Sequence, residues 1–442
     1  MVWMLPKKCG LGILLLVIFS LSDVSGSYVG INIGTDSSNL PSALEIVSIL
    51  RAQGIRHVRL FDADHQLLNA LANTGIEVMV GVPNDQILRI GQSRSKAAEW
   101  VKENIATFVP ATNITYIAVG SEVLTAIPNV APVLVLAMQF LQSALIAADL
   151  NFQVKVSTPH SMDMIPKPFP PSIAAFNSTW NSVMSLLLQF LKNTGSSFMI
   201  NARAYNGYTQ GNGLFPLDYV LFRPLTPNNQ IVDPNTLFQY TNMFDAMVDA
   251  AYYSMQALNF SGIPILVTET GWPWFGGPNE PDATVDNALV YNSNLVQHVL
   301  HGDGTPSQPN STLNTYIYEL FNEDLRPGLT SEKNWGLFFS NGTSIYTVNF
   351  RRMIDSNSSG LTGVFCVANS SADPKALKAG LDWACGPGSA NCSAIQPGQP
   401  CYESDNIVAI ASCAYNDYYH RTQATGGTCN FGDTATITNS DP

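Results

Sequence analysis

Two glutamates stand at places where chemistry can be built. Glu122 lies in Ile117-Ala118-Val119-Gly120-Ser121-Glu122-Val123, and Glu269 in Ile265-Leu266-Val267-Thr268-Glu269-Thr270-Gly271-Trp272-Pro273. Each is a carboxylate where an apolar, strand-like run gives way to a loop, with a glycine close by. In a barrel of parallel strands, the loops at the C-terminal strand ends build the active site. A pair of carboxylates on two such ends is the apparatus of glycoside hydrolysis. A lone glutamate at a strand end more often caps the next helix or pairs with a core arginine. Two at corresponding places favour catalysis, one as protonated acid and one as ionised nucleophile, their environments pushing the pKa values apart. Carboxyl groups about 5 Å apart would mean retention of anomeric configuration.

Other residues fall beside this pair. Trp272, Trp274 and Phe275 follow Glu269, and Tyr205 and Tyr208 follow the sixth apolar run, at 198–204; flat rings stack on sugars, or else pack a barrel rim. Arg59 and Asp62 end the second apolar run and read as support for Glu269. Glu323, Asp324 and Arg326 lie on a charged loop that is either solvated or a wall of the site. Rival chemistries are poorly served. The six histidines show no metal-ligand spacing, so no metal site is expected, and no G-x-S-x-G elbow occurs. No thiol stands outside a C-terminal cysteine cluster except Cys9.

The elements that must position these residues alternate. Strands are expected at 29–34, 57–62, 76–82, 114–119, 154–158, 198–204 and 263–268, with a short eighth at 334–338. Helices are expected at 43–52 (Leu44, Val47 and Leu50 inward), 67–72, 95–109 (Val101, Ile105 and Phe108 inward) and 133–148. Eight such units over roughly 320 residues suit an α/β fold of (β/α)8 type, a TIM barrel. An open doubly wound sheet lacks its glycine-rich phosphate fingerprint after the first strand.

The chain has 442 residues, 46% hydrophobic and 12% charged, with a net charge of -12. That acidity argues against nucleic acid and anionic membranes as partners; a neutral polymer fits. Lys7 and Lys8 precede an apolar run from Leu11 to Leu21, followed by Ser25, Gly26 and Ser27, which reads as a signal peptide over 1–26. No second hydrophobic segment and no lipid-anchor tail is expected, and the mature chain is read as a secreted, extracellular or cell-wall monomer without a membrane span. Eight Asn-x-Ser/Thr triplets accompany it: Asn113, Asn177, Asn259, Asn310, Asn341, Asn357, Asn369 and Asn391, the last compromised by its cysteine. After Cys9, all six remaining cysteines fall within 64 residues, from Cys366 to Cys429. A large unstapled part and a small disulfide-stapled part imply a boundary. The expected division is a barrel over 27–345, a linker over 346–364 and a small domain over 365–442.

At these residues the chain resembles the plant endo-1,3-β-glucanases of glycoside hydrolase family 17, joined to a C-terminal X8 module (carbohydrate-binding module family 43). The resemblance rests on Val58-Arg59-Leu60-Phe61-Asp62-Ala63-Asp64, Ala118-Val119-Gly120-Ser121-Glu122-Val123, Val267-Thr268-Glu269-Thr270-Gly271-Trp272-Pro273 and Ser331-Glu332-Lys333-Asn334-Trp335-Gly336-Leu337. It implies Glu122 as proton donor, Glu269 as nucleophile, no cofactor, 1,3-β-glucan as the polymer bound, and Ser121, Tyr205, Tyr208, Trp272, Glu323 and Arg326 along the substrate, with Arg59, Asp62 and Arg203 in support. Two departures stand out. Ser121 replaces the family's common asparagine. In Asn201-Ala202-Arg203-Ala204-Tyr205, Arg203 replaces a tyrosine expected to touch the nucleophile, so a non-hydrolytic glucan-binding protein and a glucan transglycosylase remain alternatives. The tail resembles X8 in Leu381-Asp382-Trp383-Ala384-Cys385-Gly386 and Pro400-Cys401-Tyr402. The resemblance implies pairing of Cys366 with Cys429 and Cys385 with Cys392. Cys401 and Cys413 are left either to bridge each other or to stand unpaired, and the natural C-terminus either ends here or lies further on.

Overall fold

The computed structural model describes residues 26–351, save 212 and 227–229, and residues 365–438, save 389, 397, 398, 400, 403–405 and 423–426. The signal peptide read over 1–26 lies, but for its last residue, outside the described residues, as do Asn357 and most of the expected linker. Two compact units divide the chain at Arg352 and Met353.

The first unit is a parallel barrel. Its strands are Val29–Ile33, His57–Leu60, Glu77–Val82, Asn113–Val119, the pair Lys155–Ser157 and Pro159–Ser161, Phe198–Asn201, Ile265–Thr270 and Asn314–Ile317. Each pairs in parallel with its neighbours, and the last pairs with the first. The fifth strand is split at Thr158: Lys155–Ser157 pairs with strand four and Pro159–Ser161 with strand six, which closes the ring. Thr158 Oγ1 donates to the Val119 carbonyl at 2.7 Å across the split. Strands buried on both faces read as unbroken apolar runs, and Val29–Ile33 and Ile265–Thr270 are buried throughout. Met79, Ala118, Met199, Leu266 and Tyr316 fill a layer inside the barrel.

The eighth strand is Asn314–Ile317, not 334–338. Residues 334–338 read as strand because Leu337 and Phe338 are apolar, and their amides do donate to the Glu319 and Leu320 carbonyls at 3.1 and 2.9 Å. They extend the ladder beyond the eighth strand without forming it. Glu323 and Arg326 consequently follow the eighth strand, on the face where the loops gather.

Helix Ala43–Ala52 begins at a capping box between Ser42 and Glu45 and buries Ile46, Val47 and Leu50. Leu44, expected inward, is 74% exposed, while Val47 and Leu50 are buried as expected and Ile46 joins them. Arg94–Val101 continues as a π turn over Lys102–Ala106, with Val101, Ile105 and Phe108 buried as expected. Contrary to the expectation of a single apolar segment, Pro128–Ala147 is long and apolar enough to cross a membrane by length and composition, with a hydropathy of 1.9. Half of it is buried, and it packs on Ile87–Gln92 and Arg94–Val101 as one of the barrel's outer helices. Tyr346, Val348 and Phe350 are buried in the barrel's core, so its packing reaches into the stretch expected as linker.

The second unit pairs strand Phe365–Ala368 antiparallel to Ala435–Thr438 and packs helices Pro374–Cys385 and Ile407–Thr422 around Leu377, Leu381 and Tyr415. Three disulfides staple it: Cys366–Cys429, Cys385–Cys392 and Cys401–Cys413. Cys401 and Cys413 therefore bridge each other.

Candidate active site

Strand four delivers Glu122 through a tight turn. Gly120 has φ +68°, and a Cβ there would lie 2.5 Å from Val123 and 2.7 Å from Asn84, which is why glycine stands there. Asn84 straps Ser121, accepting from its amide at 2.8 Å and donating to its carbonyl at 3.0 Å. Glu122 itself takes φ +53°, and its amide donates to the Pro159 carbonyl at 2.9 Å. Its carboxylate accepts from Asn201 Nδ2 at 2.8 Å. Burial and then the charge of Glu269 push its pKa up, against the opposing pull of Arg203 and Asn201.

Strand seven delivers Glu269 through an irregularity. Its pairing with strands six and eight shifts register after Val267, at Thr268 and Glu269, a device that re-aims side chains at barrel rims. Glu269 is almost fully buried. Arg59 Nη1 donates to Oε1 at 2.7 Å, while Arg203 donates to Oε2 from Nε at 3.1 Å and again from Nη2. Burial alone would raise this carboxyl, but the guanidiniums of Arg203 and Arg59 override it and bring the pKa down to about 2. Arg59 is fixed by Asn32 Oδ1 at 3.0 Å, on strand one. The two glutamates thus sit under opposite electrostatic pressure, the pKa of Glu122 pushed up and that of Glu269 pulled down.

A third wall comes from the loops after strand eight. Tyr318 donates to Glu323 Oε2 at 2.5 Å, and Arg326 Nη1 reaches the same oxygen at 3.2 Å. Glu332 stands between Arg203 and Arg326, at 3.6 and 3.5 Å. The Arg203 guanidinium lies 4.3 Å over the Tyr318 ring and 5.4 Å from the Trp335 ring. Behind them Glu319 is fully buried, and burial followed by the charge of Glu323 pushes it well above the usual carboxylate range. A Cβ on Gly34 would come within 2.6 Å of Glu319 Oε2 and collide with Glu323, so only glycine leaves room for both carboxyls. A cavity of about 360 Å³ adjoins Glu122, lined by Met162, Asp163, Phe169, Asn201, Arg203 and Asn206.

The structure gathers Glu122, Ser121, Glu269, Arg59, Arg203, Glu323 and Arg326 at the barrel mouth. It does not bring every expected residue to the substrate face. Trp272 is fully buried between Tyr205, Tyr208 and Tyr291, with its indole N–H donated to the Asp282 carbonyl at 2.8 Å, so it has no face for a sugar. Tyr205 is 3% exposed and packs on Trp272 and Trp335. Tyr208 is half-buried and donates its hydroxyl to Asp282 at 2.9 Å. Asp62 lines a cavity with Asp64, Gln86 and Trp100 that Glu269 does not line. Three residues escaped the sequence reading as site members: Asn201, Glu332 and Glu319. Asn201 ends strand six in register with Glu269 near the end of strand seven, and its place at the close of an apolar run was a signal that was available.

Strands four and seven thus each present a carboxyl at the barrel mouth, shifted in opposite directions by their surroundings. Comparison with known proteins decides the family. The description of "Glycosyl hydrolases family 17" matches residues 29–350, and that of "X8 domain" matches 364–436. The chain belongs to glycosyl hydrolase family 17. It is 57% identical to Glucan endo-1,3-beta-glucosidase 4 of Arabidopsis thaliana, over 97% of this chain and 85% of that one. Glucan endo-1,3-beta-glucosidase 3 of the same plant is 52% identical over 97% and 86%. Among solved structures, the β-1,3-glucanase and pollen allergen CJP38 of Cryptomeria japonica superposes with a TM-score of 0.69 at 43% identity, over 73% of this chain and 99% of that one. Within this family-17 barrel, Arg203 places a second guanidinium on Glu269 beside that of Arg59.

Proposed function

We propose that this family-17 chain cleaves internal 1,3-β-glucosidic bonds of 1,3-β-glucan with retention, Glu122 as acid and base and Glu269 as nucleophile. The opposed environments of the two glutamates carry this reading. A Glu269 oxygen attacks the anomeric carbon while Glu122 gives its proton to the departing glycosidic oxygen as the C–O bond breaks. Glu122, now a carboxylate, then takes a proton from water, whose oxygen displaces Glu269 from the sugar. Arg59 and Arg203 keep Glu269 ionised, and Asn201 aims Glu122. Ser121, Glu323 and Arg326 line the sugar's path, and Asp62 takes no part in holding Glu269. No cofactor or metal enters these steps. The small domain holds the enzyme on insoluble glucan, raising effective substrate concentration.

Incubation with a soluble 1,3-β-glucan tests this: new reducing ends with a β-anomer formed first are expected, and an α-anomer formed first excludes retention. One observation favours a second reading. Both Glu269 oxygens are held by guanidiniums, so a protein that binds glucan without cutting it, or passes the glycosyl unit to another sugar, fits as well. Longer products mean transfer, and binding without new ends means a lectin-like role. We read the chain as an exported monomer that does not bind nucleic acid, with a barrel that runs on through Phe350 and a glucan-binding domain over 365–442. Asn177, Asn259, Asn310, Asn341 and Asn369 are exposed, which suits glycan attachment, and Asn113 is half-buried at the start of strand four.

A further inference from the structure

Burial of Trp272 leaves the next two rings along the same loop in a different situation. Phe275 is 52% exposed, Trp274 is half-buried, and Phe339 from the loop beyond strand eight is 39% exposed. The three form a continuous row: Trp274 lies 5.7 Å from Phe275 and 5.5 Å from Phe339 between ring centroids. They are pinned. The Trp274 amide donates to the Asn334 carbonyl at 2.9 Å, and its indole N–H to Asn322 Oδ1 at 3.0 Å. Glu280 clamps the same loop, accepting from the Gly277 amide at 2.8 Å and the Ser331 amide at 3.2 Å. One loop links the row to the reactive centre. Glu332 meets Arg203, the partner of Glu269, and two residues later Asn334 holds Trp274.

We propose that Trp274, Phe275 and Phe339 form a stacking subsite for the 1,3-β-glucan chain, at sugar units beyond the bond being cut. Rigid aromatic faces exposed beside a cleft are covered by flat, apolar ligand faces at little ordering cost, and a pyranose ring presents such a face. Three rings are too small a patch for a stable protein partner, which needs about 800 Å² from each side. The subsite rests on the glucan reading above and extends it to chain-length preference.

The test is a series of 1,3-β-glucan oligosaccharides from trimer to heptamer, cleaved by the full chain and by Phe275→Leu, Phe339→Leu and Phe275→Trp. The leucine variants keep apolar bulk and lose the flat face. Their kcat/KM on the longest oligomers, relative to the shortest, is expected to fall about tenfold, the scale of one lost aromatic contact. Phe275→Trp retains the wild-type ratio. An unchanged ratio in both leucine variants overturns the subsite while leaving the glucan reading intact. Should the wild type cleave no oligomer, the glucan-hydrolysis reading fails instead, and the subsite is read from tryptophan fluorescence. Loss of heptamer-induced quenching in Phe275→Leu then supports it, and quenching equal to wild type overturns it.

Discussion

Asn201 gives its side-chain N–H to Glu122 at 2.8 Å while its own Oδ1 accepts from Thr268, the neighbour of Glu269, at 2.7 Å. One amide therefore ties the two carboxyl-bearing strands together. Asn201→Ala removes the hydrogen bond that favours ionised Glu122, so its pKa rises further. The alkaline limb of the kcat profile is expected to move upward, with kcat lowered about tenfold or more as aim is lost. An alkaline limb that stays in place would show that Asn201 does not govern Glu122.

Glu269→Gln and Glu122→Gln separate the two roles. Loss of the acid costs about 10²- to 10⁴-fold on polymer. In Glu122→Ala, azide, which needs no general base, should restore turnover on substrates with good leaving groups and give a β-glycosyl azide. No azide product from that variant would remove Glu122 from the acid/base role.

Arg203→Tyr tests the second guanidinium. Removing one cation from Glu269 raises its pKa, so the acid limb of kcat/KM should move up by about one pH unit or more. If Arg203 also obstructs the nucleophile, kcat rises in the same variant. A profile identical to wild type would mean that Arg59 alone sets the charge of Glu269.

Glu319 makes a stability prediction of definite sign. Its folded pKa is raised above the ordinary 4.5, so its contribution is full below that value and is lost as pH rises toward the folded pKa. Glu319→Gln abolishes that loss. The variant should melt higher than wild type at pH 8, and the advantage should shrink toward pH 4.5. A lower melting temperature at pH 8 would indicate that Glu319 is ionised and paired.

The disulfides should matter to one unit alone. Cys366–Cys429 spans 63 residues, a loop whose closure stabilises by about 4 kcal/mol in the chain-entropy model. Among residues 26–351 no cysteine occurs. Reductant should abolish the small domain's calorimetric transition and leave hydrolysis of soluble glucan intact. Equal loss of both would contradict the independence of the units.

Glu122 and Glu269 were legible because each ends an apolar run beside glycine, a local pattern that needs no long-range contact. The eighth strand was not. Asn314-Thr315-Tyr316-Ile317 is short and half polar, and its strand character comes from pairing with 29–33 and 265–270. Trp272 misled for a related reason: a ring beside a reactive carboxylate looks like a sugar platform, and only the packing of Tyr205 and Tyr291 shows it enclosed. Glu319 gave no signal, since its burial follows from Gly34, far away in sequence.

The irregular pairing at Thr268 and Glu269 has a further implication. Alternate residues of a strand face opposite sides, so inserting or deleting one residue between Ile265 and Glu269 would turn the Glu269 carboxylate toward the outer helices. In this segment spacing is under tighter constraint than side-chain identity: a valine exchanged for isoleucine at 267 is a minor event, whereas a single-codon slip disarms the enzyme while leaving its composition almost untouched.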